Sequence, residues 1–123
     1  MRYKALSLKQ PFANWVMEGK KTIETRKWAT SYRGDIVICS SKNPSFGYAQ
    51  GKPIHPAGYA LGIVELYRIE PMRPEHEAGA CCKVYPKAQA WFIRNLRVFK
   101  TPIPVKGQLN LFNLELPEHI ETR

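Results

Sequence analysis

Eight consecutive residues, Gly19-Lys20-Lys21-Thr22-Ile23-Glu24-Thr25-Arg26, place two lysines, a glutamate and an arginine on a stretch whose pattern is that of a β-strand. A strand turns successive side chains to opposite faces, so Glu24 and Arg26 point one way and Ile23 the other. With Ile23 in a core, a carboxylate and a guanidinium stand together on the opposite surface, or at the rim of a cleft. Such a pair is either a plain structural ion pair or a prepared polar site. The rest of the chain has to separate the two.

Around that strand the sequence spaces its elements regularly. Leu6 and Leu8 alternate with Ser7 and Lys9, which predicts a first strand over Tyr3 to Lys9. Pro11 suits the first position of a short helix, whose stripe is Phe12, Trp15 and Val16 and whose left-handed cap is Gly19. The charged strand then runs from about Thr22 to Trp28, Ser31 to Gly34 turn, and Ile36-Val37-Ile38-Cys39 reads as a buried strand within Asp35 to Ser40. Ser41 to Gly58 has no periodicity and holds three prolines and three glycines. That is long for a connection, and it carries Lys42, Phe46, Tyr48, Lys52 and His55, a mixture suited to a binding wall. Further strands are expected at Tyr59 to Ile69, at Trp91 to Lys100 with a bulge near Asn95, and at Leu109 to Leu116. Pro71 to Lys87 is irregular with room for one short helix, and Pro102 and Pro104 bracket a turn or edge segment. About six strands with one or two short covering helices give an α+β fold, a small, strongly curved β-barrel.

Size and charge narrow the functions. A chain of 123 residues is expected to form a single domain, 1–123, which buries roughly two-thirds of its unfolded surface. No apolar run approaches the roughly 20 residues of a membrane helix and no secretory h-region is visible, so a cytoplasmic protein with no membrane partner is expected. Three cysteines, Cys39 and the adjacent Cys81 and Cys82, make no disulfide framework and read as reduced thiols. The net charge of +9 favours a polyanionic partner, of which nucleic acid is the commonest, and disfavours self-association, so a monomer is expected.

Several chemistries fall away on spacing. Gly19-Lys20-Lys21 lacks the earlier glycine and the following hydroxyl of a phosphate loop, and neither Gly-x-Gly-x-x-Gly nor Gly-x-Ser-x-Gly occurs. His76, Glu77, Cys81 and Cys82 lack Cys-x-x-Cys spacing, so neither a metal nor another cofactor is expected. His55, between two proline-bearing positions, reads as a loop residue. The charged strand, by contrast, offers the complete chemistry of nucleotide recognition. Lys20, Lys21 and Arg26 suit phosphates, Glu24 suits an exocyclic amine of a base, and Trp28 and Tyr32 offer stacking surfaces. The plain alternative is a solvated strand with an internal Glu24–Arg26 pair and Trp28 in the core.

Three blocks then resemble one family. Leu6-Ser7-Leu8-Lys9-Gln10-Pro11-Phe12-Ala13, Gly19 to Trp28, and Arg33-Gly34-Asp35-Ile36-Val37-Ile38 look like the ASCH (ASC-1 homology) domain, whose motif Gly-x-Lys-x-x-Glu-x-Arg is filled by Gly19, Lys21, Glu24 and Arg26. The resemblance implies a PUA-like barrel with a cleft lined by these residues, acting as an RNA-binding or other single-stranded nucleic-acid-binding module. Some such domains are attached to transcription coactivators. One enzymatic branch hydrolyses N4-acylated cytidine with the motif lysine, a threonine and a distant glutamate, and a ribonuclease activity is also associated with the family. The resemblance therefore admits a nucleoside or nucleotide ligand, with Lys21 and Glu24 as catalytic candidates. Here the threonine position is occupied by Glu24, and Glu75 or Glu77 stands for the distant carboxylate.

Overall fold

The computed structural model describes residues 1–42, 48–49, 52–53 and 58–123. The order of elements is β1 (Arg2–Leu8), α1 (Phe12–Met17), β2 (Ile23–Arg26), β3 (Gly34–Ser40), the two-residue pair β4 (Tyr48–Ala49) and β5 (Lys52–Pro53), β6 (Tyr59–Pro71), a 3-10 turn (Pro74–His76), α2 (Glu77–Ala80), β7 (Gln89–Pro104) and β8 (Leu111–Glu115). Six strands form one sheet in the order β2-β7-β6-β3-β1-β8, curled into a half-barrel. The β1–β3 pair is parallel and its other ladders are antiparallel. This is the small, curved α+β barrel that the strand count predicts, with the PUA-like form that the resemblance implies. Among the described residues no helix is long and apolar enough to cross a membrane.

Both faces of the central strands are buried, which is why β3 reads as an unbroken apolar run. Ile36 and Ile38 face one core with Leu6, Leu8, Val64, Leu66 and Trp91, and α1 covers it with Ala13 and Val16. Val37 and Cys39 face the other, with Ala5, Ile63, Phe99, Phe112 and Leu116. Burial pushes the Cys39 thiol up to about 12 by withholding water from its thiolate. A disulfide-exchange reagent at pH 8 is therefore expected to titrate Cys81 and Cys82 while Cys39 reacts only after denaturation; three thiols reacting at one rate would show that this core opens readily.

The helix differs from expectation in two respects. It starts at Phe12, with Pro11 in the capping position before it, and its buried residues are Ala13 and Val16. Trp15 instead packs edge-to-face on Phe12, ring centroids 5.4 Å apart. A six-residue helix has less than two turns in which to form a stripe, so the cap governs its orientation. Gly19, at φ +77°, closes that cap. Its N–H donates to the Val16 carbonyl at 3.0 Å and the Lys20 N–H to the Trp15 carbonyl at 3.0 Å, the paired bonds of a Schellman ending.

Long-range pairing also overrides Pro102 and Pro104. Both lie inside β7, where Ile103 and Pro104 pair with Ala60 and Tyr59. Strand β2 pairs with β7 only from Gln89 to Phe92 and the C-terminal residues Glu121 to Arg123 meet it only from Val98 to Lys100, so among the described residues no neighbour on that edge calls for an N–H from Pro102 or Pro104. The irregularity expected at Asn95 is present: that residue has φ +56° and the β6–β7 register slips nearby.

Candidate functional site

The glycine cap sets the site in motion. Because the Lys21 N–H also donates to the Trp15 carbonyl at 3.0 Å, the chain reverses sharply and delivers Lys21 inward, only 3% exposed. Strand β2 follows and buries Ile23 against Met72, Ala80 and Ala88. At Gly79 an added Cβ would come within 2.9 Å of Thr22 Oγ1, so any larger residue would have to displace Thr22 for α2 to lie this close to β2. That approach brings the Ala80 carbonyl within 2.5 Å of Lys21 Nζ, which donates to it.

Glu24, 7% exposed, sits between two cations. Its Oε1 lies 3.5 Å from Lys21 Nζ and accepts the Thr25 N–H at 3.0 Å. Its Oε2 accepts from Arg26 Nε at 3.0 Å and lies 2.9 Å from Arg26 Nη2. Arg26 Nη2 also donates to the Ser7 carbonyl of β1 at 2.8 Å. Strand β2 is one edge of the sheet, and β1 lies beside the opposite edge strand β8. Through Arg26 the Lys21–Glu24–Arg26 group thus ties edge strand β2 to β1, which no ladder joins.

These three side chains stand in the wall of a cleft of about 740 Å³. Its other walls come from the end of β1 (Ser7, Leu8) with Lys9 and Phe12 beyond it, from Ser40, Ser41, Lys42 and Gly58, and from the β7–β8 connection, Lys106 to Asn110. Thr25 and Cys82 complete the lining, Thr25 Oγ1 lying 3.8 Å from Cys82 Sγ. Among the described residues the lining carries five cationic side chains, Lys9, Lys21, Arg26, Lys42 and Lys106, against a single carboxylate, Glu24.

The expected site residues divide accordingly. Lys21, Glu24 and Arg26 come together in the cleft, and Lys20, Trp28 and Tyr32 do not line it. Lys20 Nζ lies 4.3 Å from the centre of the Trp15 ring. Trp28 packs edge-to-face on Trp91 at 4.9 Å, and its carbonyl accepts the Trp91 indole N–H at 3.2 Å. Tyr32 packs on the same core and donates its hydroxyl to the Asp35 carbonyl at 2.8 Å; burial and the Asp35 carboxylate push its phenol up. Strand β2 stops at Arg26, so the alternation that would have carried Trp28 to the cleft face ends two residues too soon.

Glu75 pairs with Arg73 and Glu77 accepts the Val84 N–H, and neither lines the cleft. Among the described residues no group of three or more His, Cys, Asp or Glu side chains is arranged to hold a metal. Phe46 and His55 lie outside the described residues, as do the side chains of Tyr48 and Lys52. Sequence reasoning passed over Ser7, Thr25, Cys82 and the stretch from Lys106 to Asn110. Gly107 carried the one local hint, a glycine just after the proline-bearing segment.

The comparison that assigns this curled six-stranded sheet to a family is with the ASCH domain. The profile of that domain matches residues 6–103, and the chain belongs to the ASCH domain family. Among characterised proteins it is similar to activating signal cointegrator 1 of mouse, 26% identical over 131 aligned positions, and of human, 25% identical over 131. Each match covers 93% of this chain but only 22% of the relative, so the chain spans about a fifth of those proteins' length. Among solved structures, the ASCH protein of Zymomonas mobilis superposes with a TM-score of 0.63 at 18% identity, covering 91% of this chain and 87% of that one. A mutant of the same protein gives 0.61 at 17%, covering 94% and 88%. These structures share the fold.

Proposed function

We propose that the cleft holds a single strand of nucleic acid, RNA in the first instance. The observation that carries this reading is the lining of five cationic side chains against one carboxylate. Lys9, Lys42 and Lys106 are exposed on three different walls and form no ion pair among the described residues, so their charge is available to phosphates. Arg26 adds a guanidinium whose geometry suits a phosphate. Glu24 has another part: with both oxygens engaged by Lys21, Thr25 and Arg26, it positions cations rather than reading a base edge. Membership of the ASCH family supports the nucleic-acid reading as well.

The test is the salt dependence of binding to a labelled single-stranded RNA of about a dozen nucleotides. Three or four neutralised phosphates give a slope of log K against log salt of roughly −2 to −3, from about −0.7 per contact on single strands. Lys106→Ala is expected to reduce that slope by about 0.7 and to weaken binding to every sequence alike. A flat salt response, or an unchanged slope in Lys106→Ala, would count against the cleft as a phosphate site.

A further inference from the structure

The hydroxyl of Ser7 is buried and has no hydrogen-bond partner, although Ser7 belongs to the wall of the cleft. Buried hydroxyls are almost always satisfied, so an orphaned one beside a binding site calls for a partner. What hides it is Gly107: a Cβ built there would stand 2.9 Å from Ser7 Oγ, which makes this the place where the main chain rests on the hydroxyl.

The segment that carries Gly107 is held at its ends. The Val105 N–H donates to the Gly58 carbonyl at 3.0 Å, and Leu111 is paired with Leu6 in the β1–β8 ladder. Between those anchors Lys106 to Asn110 is exposed throughout, and no main-chain hydrogen bond outside the sheet ties Lys106 to Leu109 down among the described residues. Asn110 takes φ +61° at the junction with β8, and Leu109 stands 89% exposed at the rim of the cleft.

The geometry points to Lys106–Asn110 as a strap that lifts from Ser7 when a nucleic-acid phosphate enters the cleft, freeing the Ser7 hydroxyl to donate a hydrogen bond to that phosphate. This rests on the nucleic-acid reading above. The Ser7 carbonyl already receives Arg26 Nη2, so the same residue sets a hydroxyl donor near a guanidinium, and Lys106 travels with the strap. A phosphate oxygen satisfies the orphaned hydroxyl, and Leu109 closes over the ligand in place of solvent.

Isotope-labelled full chain is titrated with the same single-stranded RNA, alongside Ser7→Ala and Leu109→Ser. Ser7→Ala is expected to melt higher than the parent, having lost an unsatisfied buried hydroxyl, yet to bind roughly tenfold more weakly. Leu109→Ser melts with the parent, since that side chain is almost wholly in water, and also binds more weakly. Amide signals of Gly107, Gln108 and Leu109 shift and saturate together with those of Thr25 and Arg26. Saturation at Thr25 and Arg26 with a silent strap, and parental affinity in both variants, would overturn the strap while leaving the cleft as a nucleic-acid site. No saturable shift in any of these residues would overturn both.

Discussion

Glu24→Ala is expected to remove about 3–5 kcal/mol of folding stability, the penalty for leaving one member of a buried ion pair without its partner. Lys21 is 3% exposed, and beyond Glu24 its ammonium has only the Ala80 carbonyl within hydrogen-bonding reach among the described residues. Alanine at position 24 also frees Arg26 from a two-point contact and withdraws the acceptor of the Thr25 N–H. For a domain of this size the loss corresponds to a fall in Tm of roughly 10–20 °C. Glu24→Gln, which keeps the shape and one acceptor, falls between the two. Thermal unfolding followed by circular dichroism decides it. A change below about 1 kcal/mol would mean that the pair behaves like an exposed salt bridge and that Lys21 reaches water when released.

A second large effect is expected one strand away, where Trp91→Ala costs about 3–5 kcal/mol, the usual range for emptying a large aromatic site. Trp91 is fully buried, makes an edge-to-face contact with Trp28 and donates its indole N–H to the Trp28 carbonyl. It is also the β7 residue directly opposite Glu24. Its loss therefore loosens the floor under the charged group as well as the core, and RNA affinity is expected to fall with stability. Denaturant titration at unchanged m-value measures the first effect. Parental affinity in a destabilised Trp91→Ala would show that the cleft is held by its ion pairs alone.

What could be read from the residues was local. Gly19 announces its left-handed cap, Ile36 to Cys39 announces a strand buried on both faces, and Gly19, Lys21, Glu24 and Arg26 announce the family. Each of these depends on residues within a few positions of one another. Ser7 and Lys106 to Asn110 meet because β8 pairs with β1 across most of the chain's length, and no spacing in the sequence encodes that meeting. Trp28 and Tyr32 were placed on the charged face because alternation was extended past Arg26, where tertiary packing on Trp91 draws the chain back to the core. Of the two readings of Pro102 and Pro104, a turn or an edge segment, the turn failed for a related reason. A proline forbids a ladder bond only where a neighbour asks for one, and among the described residues the partners on that edge of β7 stop at Phe92 and at Lys100, short of both prolines.

The contact from Arg26 to the Ser7 carbonyl makes the charged group at Lys21, Glu24 and Arg26 a clasp. Lys21, Glu24 and Arg26 satisfy one another and fasten edge strand β2 to β1, so the needs of a folded chain alone account for them. On the proposed function, the residues that answer to a ligand sit on the rim, at Lys9, Lys42 and Lys106 to Asn110. Two chains with the same signature can thus present different mouths to different molecules, much as one lock body accepts many cylinders. On the proposed function, the clasp serves the fold, and the composition of the rim meets the nucleic acid.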